Sequence, residues 1–151
     1  MFELFGFTPN YTGNSELRPE KNTTWDLGSE YHFDPLDGYV DLTYFHTDVE
    51  NLIVGAGNSA INMPSDSKIQ GVELSAVSNP TKNLRIDGSF TYTDTDDGNG
   101  NELVRRPKHT ASINGSYLLA DDQTRVTAGA QYVGKQSDYA FDAFYNRSQV
   151  T

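Results

Sequence analysis

The chain has 151 residues, with 11 Lys and Arg against 21 Asp and Glu, a formal charge of -10 and no cysteine. That balance excludes a nucleic-acid binder, which needs a basic face, and the missing cysteines exclude a disulfide framework or a thiolate metal site. The mean hydropathy of -0.61 and an apolar run no longer than Leu52 to Gly57 exclude spanning helices, which need ~20 residues, but not a β-barrel, where only alternate strand residues meet lipid.

Residues 1 to 22 read as a loop, because Gly6, Pro9, Asn10, Gly13, Asn14 and Pro19 favour turns. The opening Met1-Phe2-Glu3-Leu4-Phe5 lacks the basic start and apolar core of a signal peptide, so the chain is expected to be cytosolic or a piece of something longer. A strict period-two pattern then predicts a first strand over about Thr23 to Phe33. Trp25, Leu27, Ser29, Tyr31 and Phe33 share one face, and Thr24, Asp26, Gly28, Glu30 and His32 the other. The nine residues from Trp25 to Phe33 span ~30 Å at ~3.3 Å each, a length that suits a tilted barrel strand. Asp34 to Gly38 forms a short turn closed by Asp-Gly.

A second strand, about Tyr39 to Val49, sets Val40, Leu42 and Tyr44 against Asp41, Thr43 and Phe45. A long polar connection, about Glu50 to Ser67, follows. The third strand, about Lys68 to Val77, sets Val72, Leu74 and Ala76 against Gly71, Glu73 and Ser75. After a short turn from Ser78 to Asn83, the fourth strand runs from about Leu84 to Thr93. Its Leu84, Ile86, Phe90 and Tyr92 oppose Arg85, Asp87, Ser89, Thr91 and Thr93. A long loop, about Asp94 to Arg105, precedes the fifth strand, about Arg106 to Leu118. The sixth strand, about Thr124 to Gly134, comes after a short turn, and the remainder shows no further strand of clear period. Connections therefore alternate short and long, and every strand has one apolar and one polar face. An outer-membrane barrel follows that plan; a soluble β-sandwich that binds carbohydrate through its tyrosines is the alternative. A complete eight-stranded barrel also fits the length, but residues 1 to 22 and 135 to 151 lack the alternation for two more strands.

Four segments resemble a known family. Asn14-Ser15-Glu16-Leu17-Arg18-Pro19-Glu20-Lys21, followed by Trp25-Asp26-Leu27-Gly28, is similar to the "N-x-x-L-K-P-E-K" segment of TonB-dependent outer-membrane receptors. Tyr44 to Ile53 resembles the top of their next strand, and Lys68-Ile69-Gln70-Gly71-Val72-Glu73 their "G-x-E" strand. Leu103-Val104-Arg105-Arg106-Pro107-Lys108-His109 resembles the "L-x-R-R-P-x-H" segment of the vitamin B12 receptor branch. The resemblance implies an all-β fold: about six antiparallel strands of a 22-stranded transmembrane β-barrel, with short periplasmic turns and long extracellular loops. It further implies that residues 1–151 are part of the C-terminal half of such a barrel, without plug or final strands, in the outer membrane of a Gram-negative bacterium. Expected partners are outer-membrane lipid, the plug domain and remaining barrel of the parent protein, a TonB-type energy-coupling protein and a small nutrient ligand, cobalamin or an iron–siderophore. No nucleic acid and no cofactor are expected.

Candidate ligand contacts are Arg105 and Arg106, at a strand entrance, and Tyr139, Phe144 and Tyr145, whose rings suit either ligand stacking or anchoring at a membrane interface. Parity from Thr110 and Ser112 places Arg106 and Lys108 in the lumen, unless Pro107 seats a bulge that swaps them; solvated or headgroup arginines are the plainer reading. Glu30, Asp41, Glu73, Arg85 and Asp87 are expected to be lumen-facing, with Glu73, Arg85 and Asp87 forming a charge network. Asp94 to Glu102 is oxygen-rich but departs from EF-hand spacing, and reads as a flexible acidic loop. His32, His46 and His109 are too far apart in sequence to suggest a metal site. No nucleophile elbow, phosphate loop or paired-acid motif is present, so no enzyme is expected.

Overall fold

The computed structural model describes residues 2–120, 123–141 and 147–150. In chain order the elements are α1 (Phe2–Phe5), β1 (Phe7–Thr8), β2 (Tyr11–Thr12), β3 (Lys21–Phe33), β4 (Gly38–Glu50), β5 (Ile53–Ala56), β6 (Ser59–Asn62) and β7 (Ser67–Thr81). They continue with β8 (Leu84–Asp96), β9 (His109–Leu118), β10 (Arg125–Val133), β11 (Asp138–Phe141) and β12 (Arg147–Val150). The six strands expected from periodicity form one antiparallel sheet in the order β10-β9-β8-β7-β4-β3. Each neighbours the next long strand in sequence, so the sheet is a meander interrupted only by the β5–β6 hairpin.

Register makes the two faces continuous. Leu27 pairs with Tyr44 and Ser29 with Leu42; Leu42 then pairs with Leu74 and Tyr44 with Val72. Val72 meets Tyr92 and Leu74 meets Phe90, Phe90 meets Ala111, and Ala111 meets Tyr132. Because strand periodicity is two, a one-residue slip would invert this match at every position, and the apolar face pins the register. Rings gather toward one end of it. Trp25 lies 5.3 Å from Tyr44 and 5.6 Å from His46, and His109 lies 5.3 Å from Tyr92 and 5.9 Å from Phe90, measured between ring centroids.

The sheet's two ends differ. At the turn rim, a 3-10 turn over Asp34–Leu36 ends on Asp37 in the left-handed region (φ 40), and Lys82 and Asn83 alone link β7 to β8. The long connections gather at the other end, the loop rim. β7 extends past its expected end at Val77 because a register irregularity between Ser78 and Thr81 accommodates Pro80, which has no ladder donor. β9 starts at His109 rather than Arg106, so the parity argument for Arg106 and Lys108 does not apply. Three expectations are corrected outright. Residues 1 to 22, expected as a loop, hold α1 and the β1–β2 pair; the connection after β4 holds the β5–β6 hairpin, turning on Gly57 at φ 59; and the stretch after β10 holds the β11–β12 pair.

The buried hydrophobic residues among those described are Val49 and Ala60. Leu42 is 50% exposed and Ile113 56%, and Leu74 and Ile86 are also exposed. No second layer covers the Val40, Leu42, Tyr44 face among the described residues, which removes the β-sandwich reading. An apolar sheet face left open across six strands far exceeds the patch a soluble monomer tolerates; acyl chains suit it.

Candidate functional site

The loop rim is built around Asn62. Its Nδ2 donates to the carbonyls of Arg18 at 2.9 Å and Asn51 at 2.7 Å, and its Oδ1 accepts from the Arg18 amide at 2.8 Å. Asn14 Nδ2 donates to the Ala60 carbonyl at 3.0 Å, and the Glu20 carboxylate accepts from the Ile53 amide at 2.7 Å. These bonds tie the β5–β6 hairpin to the segment before β3. The hairpin's signal in the sequence is Gly57-Asn58, a two-residue turn between two short alternating runs.

Between the hairpin and the β8–β9 connection lies a cavity of about 640 Å³. Its floor is the loop end of the polar face, with Asn22, Thr47, Val49 and Ile69. Ile53 and Val54 come from the hairpin, and Leu103, Arg105 and Arg106 from the connection. The size is that of a small-molecule site, and the lining mixes apolar side chains with the charged Glu20, Asp97, Glu102, Arg105 and Arg106.

The connection is tied down at several points. Asp96 Oδ1 accepts from the Gly98 amide at 2.6 Å, and Asp97 Oδ1 from the amides of Asn99 at 2.8 Å and Asn101 at 3.1 Å. Partial burial pushes the Asp97 carboxyl up, but these amides and the Asn101 side chain outweigh it and hold it below its ordinary value. The loop is therefore an ordered pair of aspartate turns, and no group of three or more His, Cys, Asp or Glu among the described residues is placed to hold a metal ion. Farther along, Lys108 Nζ lies 2.5 Å from Glu102 Oε1, and Ser137 Oγ donates to Glu102 Oε2 at 3.3 Å. Arg105 has φ 60; its amide donates to the Ser137 carbonyl at 2.7 Å and its Nε to Asp138 Oδ1 at 3.1 Å. Residues 134–138 thus lie as a strap across this loop.

The Lys108 hydrogen bond, with its charge and the Ser137 hydroxyl adding to it, holds Glu102 below its ordinary value of 4.5 against partial burial. The same bond raises Lys108 above 10.5. Glu102, being depressed, contributes stability that is present above 4.5 and lost as pH falls through its lowered value; Lys108, being raised, contributes stability that is present below 10.5 and lost as pH rises through its raised value. Amide exchange over residues 102–108, corrected for intrinsic rates, is expected to lose protection on the acid side. In Glu102→Gln that step should be absent and protection low throughout. Wild-type protection that is flat through the carboxylate range would refute the clasp.

Of the five ligand-contact candidates, Arg105 and Arg106 come together at the cavity. Tyr139 lies in β11, and Phe144 and Tyr145 lie outside the described residues. Glu30, Asp41, Glu73, Arg85 and Asp87 share the polar face. Glu30 stands opposite Asp41, an unfavourable like-charge pair; His32 Nε2 lies 2.7 Å from Glu30, and the Thr43 hydroxyl donates to Asp41 at 3.1 Å. Arg85 reaches Asp87 at 3.8 Å, and Asn114 Nδ2 donates to Asp87 at 2.9 Å. Glu73 stands apart between Thr43 and Thr91, so the expected three-residue network is a pair plus an isolated carboxylate.

A meandering sheet with one lipid-compatible face, one polar face, short turns at one rim and a ligand-sized cavity at the other defines a sector of a transmembrane β-barrel. The chain belongs to the TonB-dependent receptor family of Gram-negative outer membranes: the profile described as "TonB dependent receptor-like, beta-barrel" matches residues 1–151. It is 31% identical over 138 residues to the vitamin B12 transporter BtuB of Photobacterium profundum, covering 85% of this chain and 22% of that protein. It is 28% identical over 141 residues to the probable TonB-dependent siderophore receptor PiuA of Acinetobacter baumannii, covering 81% and 19%. The solved structure of P. aeruginosa FpvA bound to a heterologous pyoverdine and iron superposes with a TM-score of 0.70 at 18% identity, over 89% of this chain and 20% of that one, which shows the shared fold. The chain thus spans about a fifth of the length of each of these two relatives. The family consists of transport receptors rather than enzymes.

Proposed function

We propose that these strands are a sector from the C-terminal half of a longer barrel, in a receptor for active uptake of a scarce nutrient, cobalamin or an iron–siderophore. The apolar face meets outer-membrane lipid. The polar face, with Glu30, Asp41, Glu73, Arg85 and Asp87, lines the lumen against water and the plug. The loop rim is extracellular and captures the ligand; a TonB-type partner then drives rearrangement of the plug. The observation that carries this reading is the cavity at the loop rim lined by Arg105 and Arg106. Kinship to a vitamin B12 transporter and a siderophore receptor supports the two ligand classes.

The test is uptake in a strain that lacks the parent gene and is complemented with it at full length. Radiolabelled cyanocobalamin and a ferric siderophore are supplied separately. Uptake of one is expected to depend on the gene and to fall roughly tenfold or more with Arg105 and Arg106 both changed to Ala, since charge-assisted hydrogen bonds are lost. Surface abundance should not change. Uptake of neither responding to the gene overturns the reading.

A further inference from the structure

The polar face of the sheet is mostly hydroxyl-bearing and charged, yet three apolar side chains descend from the cavity on consecutive rungs. Val49, opposite Ser67, and Ile69, opposite Thr47, belong to the cavity floor. Phe45 stands opposite Gly71 on the next rung, ~6.6 Å further from the loop rim at ~3.3 Å per residue, below the cavity's lining. The other aromatic ring on this face of the paired strands is Tyr39, three rungs nearer the turn rim.

The Phe45 ring lies down against the sheet. A Cβ on Gly71 would stand 2.6 Å from its Cζ and 2.9 Å from its Cε1, so the far end of the ring occupies the space over a buried glycine. An upright ring needs no such gap. A flat one covers the glycine with one face and turns the other to the lumen, and Phe45 is half-buried accordingly. The wall around it is polar: Asp26 across on β3, Thr93 beyond Gly71 on β8, and Glu73 one rung below. An open aromatic face in a hydrated lumen is unfavourable until something apolar covers it. The cavity supplies the occupant, since a ligand held against Val49, Leu52, Ile69 and Leu103 has an apolar side of its own.

We propose that Val49, Ile69 and Phe45 form the track by which the ligand leaves the cavity for the lumen, with the Phe45–Gly71 pair as a stacking platform at its foot. The ligand class is one with a flat apolar ring face. The track rests on the uptake reading, and it adds the ligand's route and the shape of the surface it presents.

The test uses the full-length receptor in cells, with radiolabelled cyanocobalamin or a ferric catecholate siderophore as probe, whichever the gene takes up. With Phe45 replaced by the photoreactive p-benzoylphenylalanine, irradiation is expected to attach the probe to the receptor in energised cells. A protonophore, which leaves the probe in the cavity, should remove most of that product. Phe45→Leu, apolar but without a ring face, should keep surface binding under protonophore within about twofold and lower the uptake rate roughly three- to tenfold. Phe45→Tyr should restore most of the rate. Gene-dependent uptake that is unchanged in Phe45→Leu overturns the track and leaves capture standing. A photoproduct internal to the receptor, formed with or without protonophore and never carrying the probe, assigns the ring to the plug and also overturns the track. Equal losses in Phe45→Leu and Phe45→Tyr, or a loss matched by falling surface abundance, overturn it in favour of a structural role. Uptake of neither probe responding to the gene removes the capture reading and the track together.

Discussion

Leu42→Arg in the full-length receptor is expected to cost about 2–4 kcal/mol of barrel stability, and Thr43→Arg, one residue along, far less. Leu42 is half-exposed on the apolar face between Ser29 and Leu74. It lies one alternate position toward the turn rim from the Tyr44 ring, so a guanidinium there must enter hydrocarbon or distort the bilayer. Thr43 points to the polar face, beside Gly28 and opposite Glu73. An arginine at that position finds water and a carboxylate with no other polar partner among the described residues. The comparison is made from urea unfolding in lipid vesicles, with folded barrel scored by its gel mobility without heating. Equal costs for the two substitutions would refute the lipid and lumen assignment of the faces.

Gly71→Leu should be similarly damaging for a different reason. An added Cβ at Gly71 would collide with the Tyr92 carbonyl oxygen of the neighbouring strand and lie 2.6 Å from Cζ of Phe45. Phe45 is a large apolar side chain on the polar face, and Gly71 is the space its ring occupies. Forcing a leucine there has to separate β7 from β8 or expel the ring, an overpacking cost of ~1–3 kcal/mol or more. Phe45→Ala in the same background should restore part of the loss, because the ring conflict goes while the carbonyl conflict stays. A neutral Gly71→Leu would show that β7 and β8 pair less closely than described.

The six long strands were legible because each separates two different media. Leu27, Leu42, Leu74 and Ile113 had to alternate with polar neighbours, and that alternation is written residue by residue. Past the membrane boundary both faces meet water and the period fades. Arg106, Pro107 and Lys108 therefore read as strand although β9 begins at His109, and Ser78, Asn79 and Pro80 read as turn although β7 continues through them. The β5–β6 hairpin is faint in the sequence for a related reason: its Ile53, Gly55, Ala60 and Asn62 offer no lasting contrast between faces, leaving Gly57-Asn58 as its main mark. Of the cavity, Arg105 and Arg106 were legible as a pair of adjacent cations. The strap was not, since nothing local to Ser137 or Asp138 announces a partner more than thirty positions upstream.

With Val49 and Ala60 the buried apolar side chains among those described, this sheet has almost no interior of its own for water to drive together. Its hydrophobic driving force comes from transfer of the outer face into hydrocarbon, so strand pairing and arrival in the bilayer are one thermodynamic event. Until that event the nascent segment has to travel unpaired, because edges such as β3 and β10 would otherwise zip onto any neighbour that offers a free ladder.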